Sequence, residues 1–343
     1  MRGDGPSSDV VLSSRIRLAR NMRDAPYPPR LDRAGAEAVV ARVAEALRGW
    51  TDESGRPLRV VRLDALSPLE RQVMVEKHLT SPAHVRQAVG ALALSEDESV
   101  SVMILEEDHV RIQCLAAGLQ LRPALDRALR LDAALAERLP WAFDAEWGHL
   151  TTCPTNVGTG LRASVMVHLP GLAMANQIPG VLMTLSNNGM TARGLYGEGS
   201  ESAGNLFQIS NAQSLGRAEG EIVQRMEEAV RQLAERERSV RERLLNQMGE
   251  ALKDRIWRAY GVLAHARRIS SAEAMELLSL LRLGIDLHIL PQLDAKVFNE
   301  LIVATRPAFL QHLTGQEAGP EERDVKRASL IRAALRRAEA RAS

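Results

Sequence analysis

The sequence predicts an α+β fold, with a mixed strand-and-helix body over residues 10–250 and a helical C-terminal domain over residues 251–343. Three observations carry this expectation. Apolar runs at 99–105 and 110–115 flank the acidic turn Glu106-Glu107-Asp108-His109, the pattern of an antiparallel hairpin. Beyond Gly216, strand-like runs cease and apolar residues recur only at helical spacing. With 343 residues, 45% hydrophobic and 25% charged, the chain can bury one large core or two.

The elements follow in order. Residues 1–9 are polar and rich in Gly, Pro and Ser, and are expected to be a disordered lead-in. Residues 10–12 are a short apolar run that opens onto Ser-Ser-Arg-Ile-Arg-Leu-Ala-Arg-Asn at 13–21. Ala36, Val39, Val40, Val43 and Leu47 place a helix over 32–49, ended by Gly49. Residues 60–63 suit a short strand and 67–79 a helix. An amphipathic helix is predicted over 122–138, and 161–169 alternates like a strand. Residues 171–187 are apolar enough for a buried helix, but Pro179 must start, kink or end it. Strands at 190–195 and 205–209 flank a Gly/Ser/Glu loop. Residues 217–247 form one long charged amphipathic helix. Ser270 with Glu273 is the spacing of a capping box and is expected to open a helix through about Leu281, and helices at 295–305 and 321–342 are expected to complete the set.

Composition excludes several classes. A formal net charge of +1 argues against a dedicated nucleic-acid or membrane-surface protein. No apolar run approaches the ~18 residues of a membrane span. Two cysteines, Cys114 and Cys153, make no disulfide framework, so the expected location is reducing and cytoplasmic. Aromatics are only 3%, so the core must rest on aliphatic side chains.

Five arginines stand beside glycine, serine or acidic residues: Arg15, Arg17, Arg111, Arg162 and Arg193. Arg15 and Arg17 are two apart, so an extended segment points both to one side. Guanidinium forks match phosphate oxygens, and a polyphosphate needs several; any one of the five alone would read equally as a surface arginine in an ion pair. The run Cys153-Pro154-Thr155-Asn156-Val157-Gly158-Thr159-Gly160 lacks the Lys of a Walker loop. Its glycines could bring backbone N–H groups to a phosphate or simply form a tight turn. Glu106, Glu107 and Asp108 could be a solvated turn, or could present a carboxylate to a cationic substrate or to Mg²⁺. A second acidic pair, Glu198 and Glu201, lies in the loop Gly197-Glu198-Gly199-Ser200-Glu201, flexible enough to close over a substrate. Cys114 reads as a strand core residue.

Taken together, these segments resemble the ATP:guanido phosphotransferases, or phosphagen kinases. The resemblance rests on Ser13-Ser14-Arg15-Ile16-Arg17, on Glu106-Glu107-Asp108-His109-x-Arg111, and on Cys153 through Gly160 with Arg162-Ala163-Ser164. The Gly197-to-Glu201 loop followed by Ile209-Ser210-Asn211 completes it, all in family order. It is closer still to the bacterial protein-arginine kinases, through Val75-Glu76-Lys77-His78-Leu79 and Arg323-Asp324-x-x-Arg327-Ala328, and then covers nearly the whole chain. One departure is Leu105, where the family commonly has Asn before the acidic run.

The resemblance implies a phosphagen-kinase-like antiparallel sheet flanked by helices, then a helical C-terminal domain. It implies ATP and Mg²⁺ as cofactors. Around ATP it places Ser13, Ser14, Arg15, Ile16, Arg17, His78, Arg111, Arg162, Ala163, Ser164, Val165, Met166, Arg193, Gly194, Leu195, Tyr196, Gly197 and Glu198. Glu107 and Glu198 would hold and deprotonate the target guanidinium, with Glu201 as the alternative to Glu198. Cys153 would sit beside the substrate, as a thiolate or as a small packing residue. Arg323 and Asp324 would form a separate allosteric pocket for phosphoarginine. The implied partners are protein substrates bearing arginine, a zinc-binding activator protein, a heat-shock repressor and an AAA+ Clp protease, in a stress response, with the kinase as a homodimer.

Small-guanidine members of the family carry a helical domain before the Ser-x-Arg-x-Arg segment, which here begins at Ser13. Twelve residues build no such domain. The site is therefore expected to lie open to a polypeptide. The rival readings are a kinase of free arginine and a catalytically inactive phosphoarginine-reading adaptor.

Overall fold

The computed structural model describes residues 5–194, 202–315 and 318–342. Eight strands form one sheet: β1 (Val11–Arg20), β2 (Arg59–Arg62), β3 (Ala91–Leu94), β4 (Val100–Ile104), β5 (Val110–Ala117), β8 (Leu161–His168), β9 (Met190–Gly194) and β10 (Leu206–Asn211). A two-stranded ribbon, β6 (Phe143–Asp144) and β7 (Gly148–His149), lies outside it. The order is β2-β3-β4-β5-β1-β8-β10-β9, and every pairing is antiparallel.

Alternation along β1 sets the two faces of this sheet. Ile16 and Leu18 are fully buried and pack with α1 (Arg33–Ala46), α3 (Leu121–Ala136) and α6 (Glu219–Met248) in the main core. Arg15 and Arg17, one residue out of phase, face the other way. Local sequence also fixes the helix starts. Asp32 caps α1 by accepting from the Gly35 amide, and Ser67 and Glu70 form a full capping box on α2 (Pro68–Glu76).

Beyond Gly249 (φ +46) the chain is helical: α7 (Glu250–His265), α8 (Ser271–Asp286), α9 (Ala295–Ala304), α10 (Pro307–Thr314) and α11 (Pro320–Ala342). A second core, built around Leu278, Leu281, Phe298, Leu301 and Ile331, takes in Leu12, Met166 and Leu206 from the sheet. The C-terminal helices thus cover one end of the arginine-bearing face. Among the described residues, no helix is long and apolar enough to cross a membrane.

Three local expectations differ from the structure. Residues 171–187 are two helices, α4 (Pro170–Met174) and α5 (Ile178–Asn187), with Pro179 in the first turn of the second, where its missing N–H costs nothing. α5 is also less buried than its composition suggests, with Met183 65% exposed. The lead-in is not loose over residues 5–9. Asp9 pairs with Arg238 at 2.6 Å, its carbonyl accepts from Arg241, and the Ser8 carbonyl accepts from Arg282. β3 went unpredicted because Ala-Leu-Ala-Leu has no β-branched residue; burial between β2 and β4 makes it a strand.

Five histidines are withdrawn from water: His78, His84, His109, His149 and His168. Desolvation is the largest cause in each case, and it holds their pKa values below the usual 6.5, with His78 and His149 at about 4. The unfolded chain therefore takes up protons that the folded chain refuses between these values. That stability is fully present above pH 6.5 and drains away as pH falls towards 4, at about 2 kcal/mol by pH 5 for His78 alone. The urea midpoint is expected to drop markedly between pH 7.5 and pH 5. A flat profile across that window would remove this account.

Candidate active site

Strand register assembles the site. Arg15 stands opposite Ser164 on one neighbour and Leu115 on the other, and Arg17 stands opposite Arg162 and Gln113. Ser13, Arg15 and Arg17 therefore share a face with Arg111, Arg162, Ser164 and Met166. β10 carries this row to Arg193, which pairs with Gln208. All five arginines singled out in the sequence come from four different strands onto one face.

The same alternation divides the expected nucleotide set by side-chain direction, although Val165 still lines the cavity beside Arg15. Ser14, Ile16, Ala163 and Val165 turn their side chains to the helix-covered face. Ile16 and Ala163 are wholly buried and Val165 is 1% exposed. The Ser14 hydroxyl donates to the Gly118 carbonyl at 2.8 Å and accepts from the Gln120 amide at 2.9 Å. Segments that are contiguous in sequence alternate in space, so these four cannot offer side chains to a ligand on the arginine face. Gly194 ends β9 opposite Phe207. Leu195, Tyr196, Gly197, Glu198 and Glu201 lie outside the described residues.

Among the described residues, the hydrogen-bond partners of the arginine face are mostly uncharged. Arg15 donates to the Ser164 hydroxyl (3.2 Å) and the Gln208 side-chain carbonyl (2.8 Å), and Arg162 donates to the Ser210 hydroxyl (3.2 Å). Arg111 alone has carboxylate partners among the described ion pairs, Glu106 at 2.6 Å and Glu107 at 2.9 Å. The Nε of Arg17 is buried with no hydrogen-bond partner. Burial, then Arg15, Arg111 and Arg162, push its affinity for its proton well down. Arg162 is lowered by burial, Arg193 and Arg111. Such a cluster is held against its own repulsion and calls for a polyanion.

The acidic turn divides its three charges. Glu106 is buried against Arg111 and also accepts from the Ser81 hydroxyl at 2.6 Å and the Glu107 amide at 2.9 Å. Asp108 is fully buried and accepts from the Asn21 side-chain amide and the Thr152 backbone amide, each at 2.7 Å. His109 accepts the Met22 amide at Nδ1 (3.0 Å), so its proton sits on Nε2, toward the Pro26 carbonyl. Glu107 alone is exposed. Asp108, by holding Thr152, also sets the position of the next residue, Cys153. The half-buried thiol of Cys153 lies 3.1 Å from the Thr155 hydroxyl. Cys153 and Glu107 both act electrostatically on Arg162, so thiol and carboxylate share the edge of the arginine face. Leu105, at the start of the turn, has φ +61 while buried. That is a left-handed position which Asn tolerates better than Leu, which gives the departure from the family pattern a physical meaning.

The glycines after Cys153 do not cradle a phosphate. A Cβ on Gly158 would lie 2.8 Å from the Ser214 carbonyl, and its own N–H donates to His149. A Cβ on Gly160 (φ +67) would meet the Ala19 carbonyl at 2.5 Å. Both serve close backbone packing. Arg20, absent from the expected site, anchors this loop: it pairs with Asp132 at 2.7 Å and donates to the Thr159 carbonyl at 2.9 Å. Its even number, in phase with Ile16 and Leu18, was the available signal that it faces the core.

Beside Arg15 the face opens into a cavity of about 490 Å³. Ser13, Arg15, His78, Ser164, Met166 and Gln208 line it from the sheet side, and Val303, Ala304 and Phe309 from the C-terminal helices. His78 sits in a left-handed turn (φ +60), its carbonyl fixed by Gln113 at 2.8 Å. Burial, Arg15 and Arg306 lower its pKa to about 4, so its ring is neutral at pH 7. The polar cluster at Arg15 and the apolar walls opposite suit a ligand with an anionic end and a flat apolar end.

Arg323 and Asp324 lie far along the chain, in the first turns of α11. Arg323 donates to the Ala318 carbonyl at 3.1 Å. Asp324 is paired with Arg327 at 2.6 Å, and the buried Arg327 also donates to the carbonyls of Thr305 (3.0 Å) and Ile269 (2.9 Å).

Comparison with known proteins agrees with this geometry. The pattern of the ATP:guanido phosphotransferase C-terminal catalytic domain matches residues 38–240, and that of the protein-arginine kinase McsB C-terminal domain matches residues 249–343. A protein-arginine kinase of Symbiobacterium thermophilum is 51% identical over 98% of this chain and 96% of its own length. One of Halothermothrix orenii is 49% identical over 97% and 95%. Among solved structures, the duplicated taurocyamine kinase of Schistosoma mansoni, with bound transition-state-analogue components, superposes with a TM-score of 0.61. It is 25% identical over 72% of this chain and 37% of that one. A charged face built by strand register, the exposed carboxylate of Glu107 on its acidic turn, and matches along both halves converge: the chain belongs to the ATP:guanido phosphotransferase family, in its protein-arginine kinase branch.

Proposed function

We infer that this protein is a protein-arginine kinase that transfers the γ-phosphoryl group of ATP to arginine guanidinium groups in proteins. The observation that carries the reading is the convergence of Arg15, Arg17, Arg111, Arg162 and Arg193 on one face, with exposed Glu107 and Cys153 at its edge. Phosphoryl transfer is mostly positioning and charge stabilisation, and this face supplies both without chemistry of its own. A guanidinium nitrogen attacks the γ-phosphorus, the P–O bond to the β-phosphate breaks, and ADP leaves with the electron pair as the N–P bond forms. Arginine keeps its proton far above neutral pH and a carboxylate beside it strengthens that hold, so the proton leaves late, as the nitrogen becomes acidic. Glu107 orients the fork and takes that proton, with Glu198 as its partner and Glu201 as the alternative; Cys153 contacts the guanidinium.

Among the described residues no group of three or more His, Cys, Asp or Glu is placed to hold a metal ion. Mg²⁺ would come with ATP and would supply neutralisation of phosphate charge. Labelled ATP should mark an unfolded protein substrate with an acid-labile phosphate. Turnover of free arginine with no transfer to protein would replace this reading with a small-guanidine kinase.

Arg323 and Asp324 form the phosphoarginine-reading pocket, phosphate to the arginine and guanidinium to the aspartate. Support comes from the match of residues 249–343 and from the place of both residues near the start of α11. Because Arg327 already holds Asp324, an incoming phosphoarginine would compete for that carboxylate. Stimulation of the kinase by a phosphoarginine peptide is expected to vanish in Arg323→Ala; a response equal to that of the unmodified protein counts against the pocket. The family likeness also supports a homodimer in the cytoplasm, acting in a stress response that marks proteins for an AAA+ Clp protease. A zinc-binding activator and a heat-shock repressor are its proposed partners.

A further inference from the structure

The nucleotide cavity is not closed by the sheet alone. Its outer wall is made of Val303 and Ala304 at the end of α9 and Phe309 in α10, three half-buried apolar side chains. The opposite wall carries Leu115 and Met166. A flat heterocycle entering beside Arg15 would be sandwiched between a wall from the catalytic body and a wall from the C-terminal helices.

What docks the outer wall is Glu76. Its carboxylate, 8% exposed, accepts the Ala308 amide at 3.0 Å on one oxygen and the Phe309 amide at 2.7 Å on the other. These are unsatisfied N–H groups of the first turn of α10, more than two hundred residues away in sequence. A carboxylate there is favoured by the helix dipole as well as by the two hydrogen bonds. Glu76 is also the last residue of α2, two positions before His78, whose turn lines the same cavity. One side chain thus ties the inner rim of the cavity to its outer wall.

We propose that helices α9 and α10 form half of the binding pocket for the nucleotide base, and that Glu76 is a positioning residue that holds this half in place. The proposal rests on reading the cavity as the base end of the ATP site. It makes the C-terminal helices part of the nucleotide site.

The test separates base binding from phosphate binding. Affinities for MgADP and for inorganic tripolyphosphate are measured by calorimetry on the full chain carrying Glu76→Gln, Ala304→Trp or Met166→Trp. Gln keeps one accepting oxygen, so Glu76→Gln should weaken MgADP about five- to tenfold, with KM for ATP rising in step and kcat at saturating ATP moving far less. Ala304→Trp fills the cavity from the helical side and should weaken MgADP by about tenfold or more. Tripolyphosphate, which uses only the arginine face, should bind Glu76→Gln and Ala304→Trp as it binds the unmodified protein. If Met166→Trp weakens MgADP while Ala304→Trp and Glu76→Gln do not, the base is held by the sheet alone and the proposal is wrong, though the nucleotide reading stands. If none of the three weakens MgADP, the cavity is not the base site and both fall. Equal loss of tripolyphosphate and MgADP in the helical variants would mean general loosening and would also overturn the proposal.

Discussion

Glu107→Ala is expected to reduce arginine phosphorylation by about 10³-fold, with ATP affinity and stability almost unchanged. The contrast with its neighbours supports this. Glu106 and Asp108 are buried and committed to Arg111, Ser81, Asn21 and Thr152, so replacing either should cost folding before it reports on chemistry. Glu107 is exposed and its one ion pair is shared, since Arg111 keeps Glu106 when Glu107 is removed. A surface ion pair of that kind contributes little to stability. What is lost is the carboxylate that orients the guanidinium and takes its proton. Label transfer to a denatured protein, read with the melting temperature of the same preparation, checks both halves. Glu107→Gln refines the assignment. It can orient through one carbonyl but cannot accept a proton, so it should stay within about tenfold of Glu107→Ala. A Gln variant with unchanged rate, pH profile and solvent isotope effect would defeat the role in proton transfer.

Arg17→Met is expected to make the protein more stable and nearly inactive. Arg17 is withdrawn from water among like charges: Arg15, Arg111 and Arg162 lower its hold on the proton, Glu106 only partly offsets them, and its Nε is buried without a hydrogen-bond partner. Replacing a buried, poorly compensated charge by an apolar side chain of similar length often stabilises by about 1–4 kcal/mol. The melting temperature of the ligand-free variant should therefore rise by several degrees. Loss of one preorganised cation facing the transferring phosphoryl group should lower kcat about 10²–10³-fold. The same physics predicts that ATP stabilises the native protein far more than the variant, because the polyanion relieves the repulsion. A variant that melts lower than the native protein without ligand would show that Arg17 is structurally satisfied and that the strain inferred for this face is absent.

Much of the site was legible beforehand, and the reason lies in the period of a strand. The pair Arg15 and Arg17 announced a shared direction, and the register then joined them to Arg162 and Arg111. The same period turns the side chains of Ser14, Ile16, Ala163 and Val165 to the core as firmly as it turns the arginines to the open face, so these four have only backbone to offer a ligand there. Arg20 was readable by the same rule, as a core-facing arginine that would need a buried partner, although Asp132 could not be named in advance. Pro179 announced a helix boundary, but the packing of neighbouring segments decided which boundary it was.

From the residues alone came the α+β class, the hairpin that presents Glu107, the cationic character of the ligand face and the family to which the chain belongs. All of these follow from local periodicity and from motifs read in order. Tertiary structure alone decided which of three adjacent carboxylates is free, because that depends on Asn21, Ser81 and Thr152 arriving from elsewhere in the chain. It decided that Gly158 and Gly160 serve packing rather than phosphate, because the backbones that crowd them come from distant segments. It also brought Glu76 to the first turn of α10 and the C-terminal helices to the rim of the cavity. Hydrogen bonds and close packing act over a few ångströms regardless of separation along the chain, so contacts between distant segments leave no periodic trace in the sequence.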